Sequence, residues 1–248
     1  MRIEVPAADG TAEAWLALPD GGAPRPGVLL FMDAIGLRPR IHEMADRIAS
    51  WGYVVLAPHV FYRQGTAAQT SPVAPLTTDE ARSAFFAEAM PRIRALTPAR
   101  SLADVAAYLE ALTARPDVLT PVGVVGYCMG ARLAVRAACA HPGTVAACGG
   151  FHGGGLATDS PDSPHLGLGG ATARFAFGHA DQDASMDAEA VARLGRALAA
   201  AGLEAVNETY PGARHGYTMA DTAVYDEAAC ERHFATLRTL LDTTLTPA

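Results

Sequence analysis

Lysine is absent: all 19 basic residues are arginine, set against 26 acidic ones, for a formal net charge of −7 over 248 residues. A chain of this balance has no basic face or stripe with which to hold a phosphate backbone, so nucleic acid is excluded as a partner. Cysteine is also scarce. The four present, Cys128, Cys139, Cys148 and Cys230, never fall at Cys-x-x-Cys spacing, which sets aside zinc fingers and disulfide frameworks. Long apolar runs are missing as well, and the most apolar helical stretch, after Cys128, is interrupted by Arg132 and Arg136, so no membrane span is expected. The opening residues, MRIEVPAADG, lack the apolar core of a signal peptide. A cytoplasmic protein is the expectation. With only 18% charged and 50% apolar residues, the chain can fill a sizeable core and is not disordered.

What is present is an alternation of short apolar runs with amphipathic stretches. Val28–Met32, Tyr53–Ala57, Pro121–Tyr127, Thr144–Gly149, Thr172–Phe177 and Glu204–Thr209 read as strands; the first two are short continuous apolar runs that suit strands buried on both faces. Between them, 40–50, 79–90, 99–114, 129–140, 188–201 and 223–241 carry helical patterns. Ile3–Val5 and Ala12–Leu18 read as an opening pair of strands with Asp9-Gly10 as the turn. Residues 59–78 and 152–170 read as loops. This order predicts one α/β domain over 1–248, a mostly parallel sheet covered by helices on both faces.

The chemistry concentrates at Gly126-Tyr127-Cys128-Met129-Gly130, where a buried strand turns abruptly into a helix. A nucleophile on such a turn is pushed out at the carboxyl end of the sheet, and the flanking glycines are needed because side chains there would collide with neighbouring elements. The helix start also favours a thiolate at Cys128. A nucleophilic thiol needs a base and a group that orients the base. In chain order the candidates are Asp181, in Gly178-His179-Ala180-Asp181-Gln182-Asp183, and His215, in Tyr210-Pro211-Gly212-Ala213-Arg214-His215-Gly216. Asp183 is the alternative acid. The crowded His-x-Asp-x-Asp reads as a strand-end turn rather than a metal site, and His42-Glu43 lacks the second histidine of a zinc-protease helix. His59, His141, His165 and His233 read as surface or loop residues, whereas His152, in Phe151-His152-Gly153-Gly154, is a candidate pocket wall.

These motifs resemble the dienelactone hydrolase family, small α/β-hydrolases with a cysteine nucleophile, over nearly the whole chain. The resemblance implies Cys128 as nucleophile, His215 as general base and then acid, Asp181 as orienting acid, and no cofactor. It implies an oxyanion hole from the backbone N–H groups of Met129 and Ala34, each donor worth about 3 kcal/mol. It places Asp33 where the family carries a glutamate that contacts the resting thiol. Met219 stands near where the family has a carboxylate-anchoring arginine, which leaves Arg63 as the family-matched arginine for an anionic substrate. Tyr62, Phe151 and Tyr217 are pocket candidates by their nearness to the motifs. The implied activity is hydrolysis of a small ester or lactone, dienelactone-like, by a monomer. A thioester hydrolase or acyltransferase on the same residues, and a non-catalytic thiol sensor or binding module, are the competing readings.

Overall fold

The apolar runs form the middle of an eight-stranded sheet in the computed structural model, which describes residues 1–245. The elements are β1 (Arg2–Ala7), β2 (Gly10–Ala17), β3 (Arg25–Phe31), α1 (Pro39–Ala49), β4 (Val54–Pro58), the single turn α2 (Ala67–Thr70), α3 (Asp79–Ala95), α4 (Pro98–Thr113), β5 (Val118–Tyr127), α5 (Met129–Ala140), β6 (Val145–Phe151), β7 (Arg174–Gln182), α6 (Ala188–Ala200), β8 (Ala205–Arg214) and α7 (Glu227–Thr244). The strand order is β1-β2-β4-β3-β5-β6-β7-β8. β1 with β2 and β2 with β4 are antiparallel, and every other neighbouring pair is parallel. The alternating pattern leads one to expect this mostly parallel sheet, and the family resemblance implies its α/β-hydrolase arrangement.

Strand alternation assigns the helices to faces. A Cβ on Gly149 would point at Leu237 of α7, whereas one on Gly150 would meet Ala131 of α5. Successive residues point to opposite faces of a sheet, so α5 and α7 cover opposite sides. Arg47 of α1 stacks over Phe234 and pairs with Glu231, both on α7, which puts α1 on the α7 side. Helix α4 packs beside α5. The sheet centre is therefore dry on both faces: Val28, Leu29, Leu30, Val124 and Val125 are fully buried.

Several elements run further than the sequence pattern indicates. β7 extends from the apolar run through Gln182, and β8 continues to Arg214, so the two loops that follow them begin later. Helix α3 continues through Pro91 to Ala95. The stretch 59–78 is not wholly irregular; it contains a 3₁₀ turn at Tyr62–Gln64 and α2, whose Thr66 and Gln69 form a reciprocal capping box.

Between β5 and α5 the backbone packs too closely for side chains at the flanking glycines. Cys128 has φ 54° and ψ −119°, a conformation L side chains rarely take. A Cβ on Gly126 would lie 2.0 Å from the Gly130 carbonyl oxygen, and one on Gly130 would lie 2.5 Å from the carbonyl oxygens of Phe31 and Met32. Backbone, not flexible side chain, fills that space, so only glycine lets the helix start so close to β3. Gly130→Ala is expected to cost about 3 kcal/mol or more in a urea-unfolding measurement, because backbone must move. Gly143→Ala, where nothing lies within 4 Å of the added atom, should change stability by less than about 0.5 kcal/mol.

Candidate active site

The elbow lifts the Cys128 side chain out of the sheet at the carboxyl end of β5, where the loops after β3, β7 and β8 converge. Cys128 Sγ lies 3.0 Å from His215 Nε2. His215 is the first residue after β8, and its Nδ1 is 2.6 Å from Asp183 Oδ2. The other oxygen of Asp183 is held by the Ser185 N–H at 2.8 Å and the Ser185 hydroxyl at 2.6 Å, which aims the carboxylate at the imidazole. Thiol, imidazole and carboxylate thus stand in one hydrogen-bonded line.

The acid in that line is Asp183, not the expected Asp181. β7 continues to Gln182, so Asp181 is still part of the sheet, and its exposed carboxylate accepts the Gly212 N–H of β8 at 3.0 Å. Asp183 is the first residue beyond the strand, where the chain turns beneath His215. His179, the remaining member of that motif, is buried and bonded through Nε2 to Asn207 at 2.7 Å. The three polar residues therefore face three different partners.

The electrostatics favour an ion pair. Burial pushes the Cys128 thiol up, but the His215 ring, by charge and by hydrogen bond, together with the Met129 N–H, outweighs it and holds the thiol below its ordinary value. Burial likewise disfavours the His215 cation. The Cys128 thiolate and the Asp183 carboxylate reverse this and push His215 up to about 10. Burial would raise Asp183, yet His215 and Ser185 keep it below the usual carboxylate range. The other cysteines differ in kind: Cys148 is buried and pushed well up, and burial raises Cys139 to about 11.

Around the thiol, Asp33, Ile35, Arg82, Phe86, His152, Met219 and Val224 line a narrow cleft. The Met129 N–H is engaged with Sγ, whereas the Ala34 N–H has no acceptor among the described residues. Asp33 reaches the cleft, but its oxygens are engaged by the Arg38 guanidinium, at 2.6 and 3.2 Å, and by the Ile35 N–H at 3.1 Å. His152 lines the cleft with φ 37°, its Nε2 2.7 Å from the Thr218 hydroxyl and its Nδ1 buried without a partner among the described residues. Burial, with the charge on His215, keeps its ring neutral.

Four expected pocket residues lie elsewhere. Arg63 is bound by Asp104 of α4, at 2.6 and 3.0 Å, and by Asp9, and it stacks on Tyr62. Tyr62 donates to the same Asp104 at 2.8 Å. Both belong to a structural cluster that ties the 59–78 segment to α4 and the β1–β2 turn, because a carboxylate at 3% side-chain exposure needs those donors. Phe151 is fully buried against Tyr127 and His233. Tyr217 sits behind His152, its hydroxyl donating to the Gly178 carbonyl. His59 and His233, expected as surface or loop residues, are fully buried, His59 in the loop after β4 and His233 on α7. Conversely, Arg82 and Phe86 of α3 line the cleft, and Arg38 shapes it. The only sequence signal for the α3 pair is their i,i+4 spacing at the start of a helix whose periodicity is weak.

Residues 12–245 match the family model described as the dienelactone hydrolase family. Among curated relatives, the carboxymethylenebutenolidase of Rhodococcus opacus is 27% identical over 214 residues, covering 86% of this chain and 78% of its own. Among solved structures, a dienelactone hydrolase-like promiscuous phosphotriesterase from metagenomic libraries aligns at a TM-score of 0.81 and 21% identity, covering 98% of this chain and 97% of its own. The dienelactone hydrolase of Anabaena variabilis aligns at a TM-score of 0.67 and 17% identity, covering 99% and 97%. The structural likenesses establish the fold, and the family match spans the elbow, the acid loop and the histidine loop alike. On that match the chain belongs to the dienelactone hydrolase family and is a carboxylic ester hydrolase.

Proposed function

We propose that this protein cleaves an ester or lactone bond of a small, carboxylate-bearing substrate through an acyl-cysteine intermediate, with Cys128 as nucleophile, His215 as proton carrier and Asp183 as its orienting acid. The observation that carries the reading is the unbroken line from Cys128 Sγ through His215 to Asp183, at 3.0 and 2.6 Å. The Cys128 thiolate adds to the substrate carbonyl carbon, and the carbonyl oxygen takes the negative charge beside the Met129 and Ala34 N–H groups. As the tetrahedral adduct collapses, the bond to the leaving oxygen breaks and the His215 proton passes to that oxygen. In a lactone the alcohol remains tethered to the acyl group. Neutral His215 then takes a proton from water, hydroxide adds to the thioester, and Cys128 leaves as thiolate while His215 again carries the proton. The net reaction consumes one water.

Substrate class follows from the cleft. Arg82 lines it with its guanidinium 5.0 Å above the Phe86 ring and no ion pair among the described residues. An unpaired cation on an aromatic platform beside the thiol suits a carboxylate carried by the substrate. The enclosed space at the thiol is only about 10 Å³, room for one water-sized group, which favours a small acyl group.

Hydrolysis of dienelactone and of 4-nitrophenyl acetate, followed for the wild type beside variants, tests the scheme. Cys128→Ala should fold normally and lose turnover of both compounds; wild-type rates in that variant would end the proposal. Asp183→Asn should lower kcat by about a hundredfold or more, because the imidazole loses its orienting anion. Asp181→Asn, which removes only an exposed bond to Gly212, should stay within about threefold of wild type. Arg82→Gln should raise KM for the carboxylate-bearing lactone by about tenfold or more, the worth of a charged hydrogen bond, and leave the neutral ester almost unaffected. Equal loss on both compounds would remove Arg82 from substrate recognition.

A further inference from the structure

Two loops that meet at the thiol are joined by one buried guanidinium. Arg38 caps the start of α1 and is only 4% exposed. Its Nη1 and Nη2 donate to the two oxygens of Asp33 at 2.6 and 3.2 Å. Its Nε and Nη2 donate to Asp221 at 2.5 and 3.1 Å, and Nη1 also reaches the Gly36 carbonyl at 3.1 Å. Asp33 and Gly36 belong to the loop after β3, which carries the Ala34 N–H. Asp221 belongs to the segment that follows His215. Arg40 reinforces the join by donating twice to the Thr218 carbonyl.

The pair matters for chemistry because Asp33 faces the same cleft as Cys128. A carboxylate at 4% exposure beside a nascent thiolate is a like charge in a poorly screened setting. The groups that set the charge on Cys128 are His215, backed by Asp183, on one side and Asp33 with Arg38 on the other; Arg82 and neutral His152 complete the wall. Both oxygens of Asp33 are occupied by Arg38, and one also takes the Ile35 N–H, and among the described residues no hydrogen bond joins the carboxylate to Sγ.

Resting on the reading of Cys128 as nucleophile, we propose that Arg38 is a positioning residue of the reaction: it neutralises Asp33, so that Cys128 ionises against His215, and it clips the oxyanion loop to the histidine loop. Without Arg38, the Asp33 carboxylate is unpaired beside the thiol and opposes its ionisation. Asp221, 25% exposed, contributes by holding the guanidinium in place from the far side.

The test reads the thiol directly and needs no turnover. Alkylation of Cys128 by iodoacetamide is followed against pH, with Cys128→Ala supplying the background from the other three cysteines. Arg38→Gln should move the midpoint of thiolate formation upward by about one pH unit, so that alkylation at pH 6 falls about tenfold. Adding Asp33→Asn should bring the rate back to within about threefold of wild type, since the opposing charge is gone. An unchanged midpoint in Arg38→Gln reduces Arg38 to a structural clip, and a double variant as slow as the single one assigns the effect to loop displacement; either overturns the proposal. Should Arg38→Gln fail to fold, Asp33→Asn alone decides: the thiol should react at least as fast as in wild type, and slower alkylation would mean that Asp33 activates the thiol. Loss of the titration effect with Cys128-dependent turnover intact sinks only this proposal, whereas full turnover in Cys128→Ala sinks the nucleophile assignment on which it rests.

Discussion

The contact between the first turn of α5 and the carbonyls of Phe31 and Met32 governs much of what surrounds it. Gly130 lets the helix start against β3 at a distance no side chain permits, and Gly126 lets β5 pass beneath that turn. The chain between them has to reverse within a few residues, and Cys128 takes up the strain at φ 54°. Strain of this kind costs of order 1–3 kcal/mol and persists only where the surroundings over-determine it. Here they do: Cys128 N–H is bonded to the Phe151 carbonyl, Ala131 N–H to the Cys128 carbonyl, and α5 is buried along its length against β3, β5 and β6. The reward is a side chain held upright over the sheet edge with backbone donors at its foot.

Once the thiol is fixed there, its charge depends on a balance that burial alone would tip the wrong way. Desolvation disfavours both a thiolate and an imidazolium, yet each is the other's counter-ion, and Asp183 supports the cation from behind. The linkage to stability runs in opposite directions for the two members. The raised His215 contributes stability that is complete below its ordinary value of 6.5 and is lost as pH rises through about 10. The lowered Cys128 contributes above its ordinary value of 9.0 and loses that contribution as pH falls through its own lowered value. The ion pair is therefore populated between the two, and protonation of the thiolate on the acid side or deprotonation of the imidazolium on the alkaline side dissolves it.

Much of this frame was legible from the order of residues. Continuous apolar runs at β3 and β4, the glycine-flanked cysteine between β5 and α5, and a histidine after the last strand rest on local rules of packing and turning, and local rules can be read along a chain. The choice between Asp181 and Asp183 could not be read this way. It turns on where β7 lets go of β8, and pairing with an exposed edge strand prolonged β7 past its apolar residues to Gln182. Arg63 and Tyr62 were misread for a related reason: their partner, Asp104, lies 41 and 42 residues on, inside a helix whose pattern gives no hint of a buried carboxylate. The partnership of Arg38 with Asp221 spans 183 residues and leaves no periodic trace at all.

On the proposed reading, recognition of an anionic substrate differs from the catalytic frame in how its cations are committed. A guanidinium already forked onto carboxylates is a poor anion site, because a second anion must displace the first from a buried pair. Arg38 is spent on Asp33 and Asp221, and Arg63 on Asp104 and Asp9. Met219, at the place where the family resemblance implies an arginine, instead sets its sulfur 3.3 Å from Arg38 Nη2. The place at which the resemblance implies an arginine therefore lies beside a guanidinium that is internally neutralised. Among the arginines near the thiol, that leaves Arg82, carried on α3, an element that contributes no residue to the sheet, the elbow or the proton path. On the proposed reading, substrate charge is sensed from a helix outside the catalytic frame, so its specificity can change by substitution on α3 while the cysteine, histidine and aspartate keep their geometry.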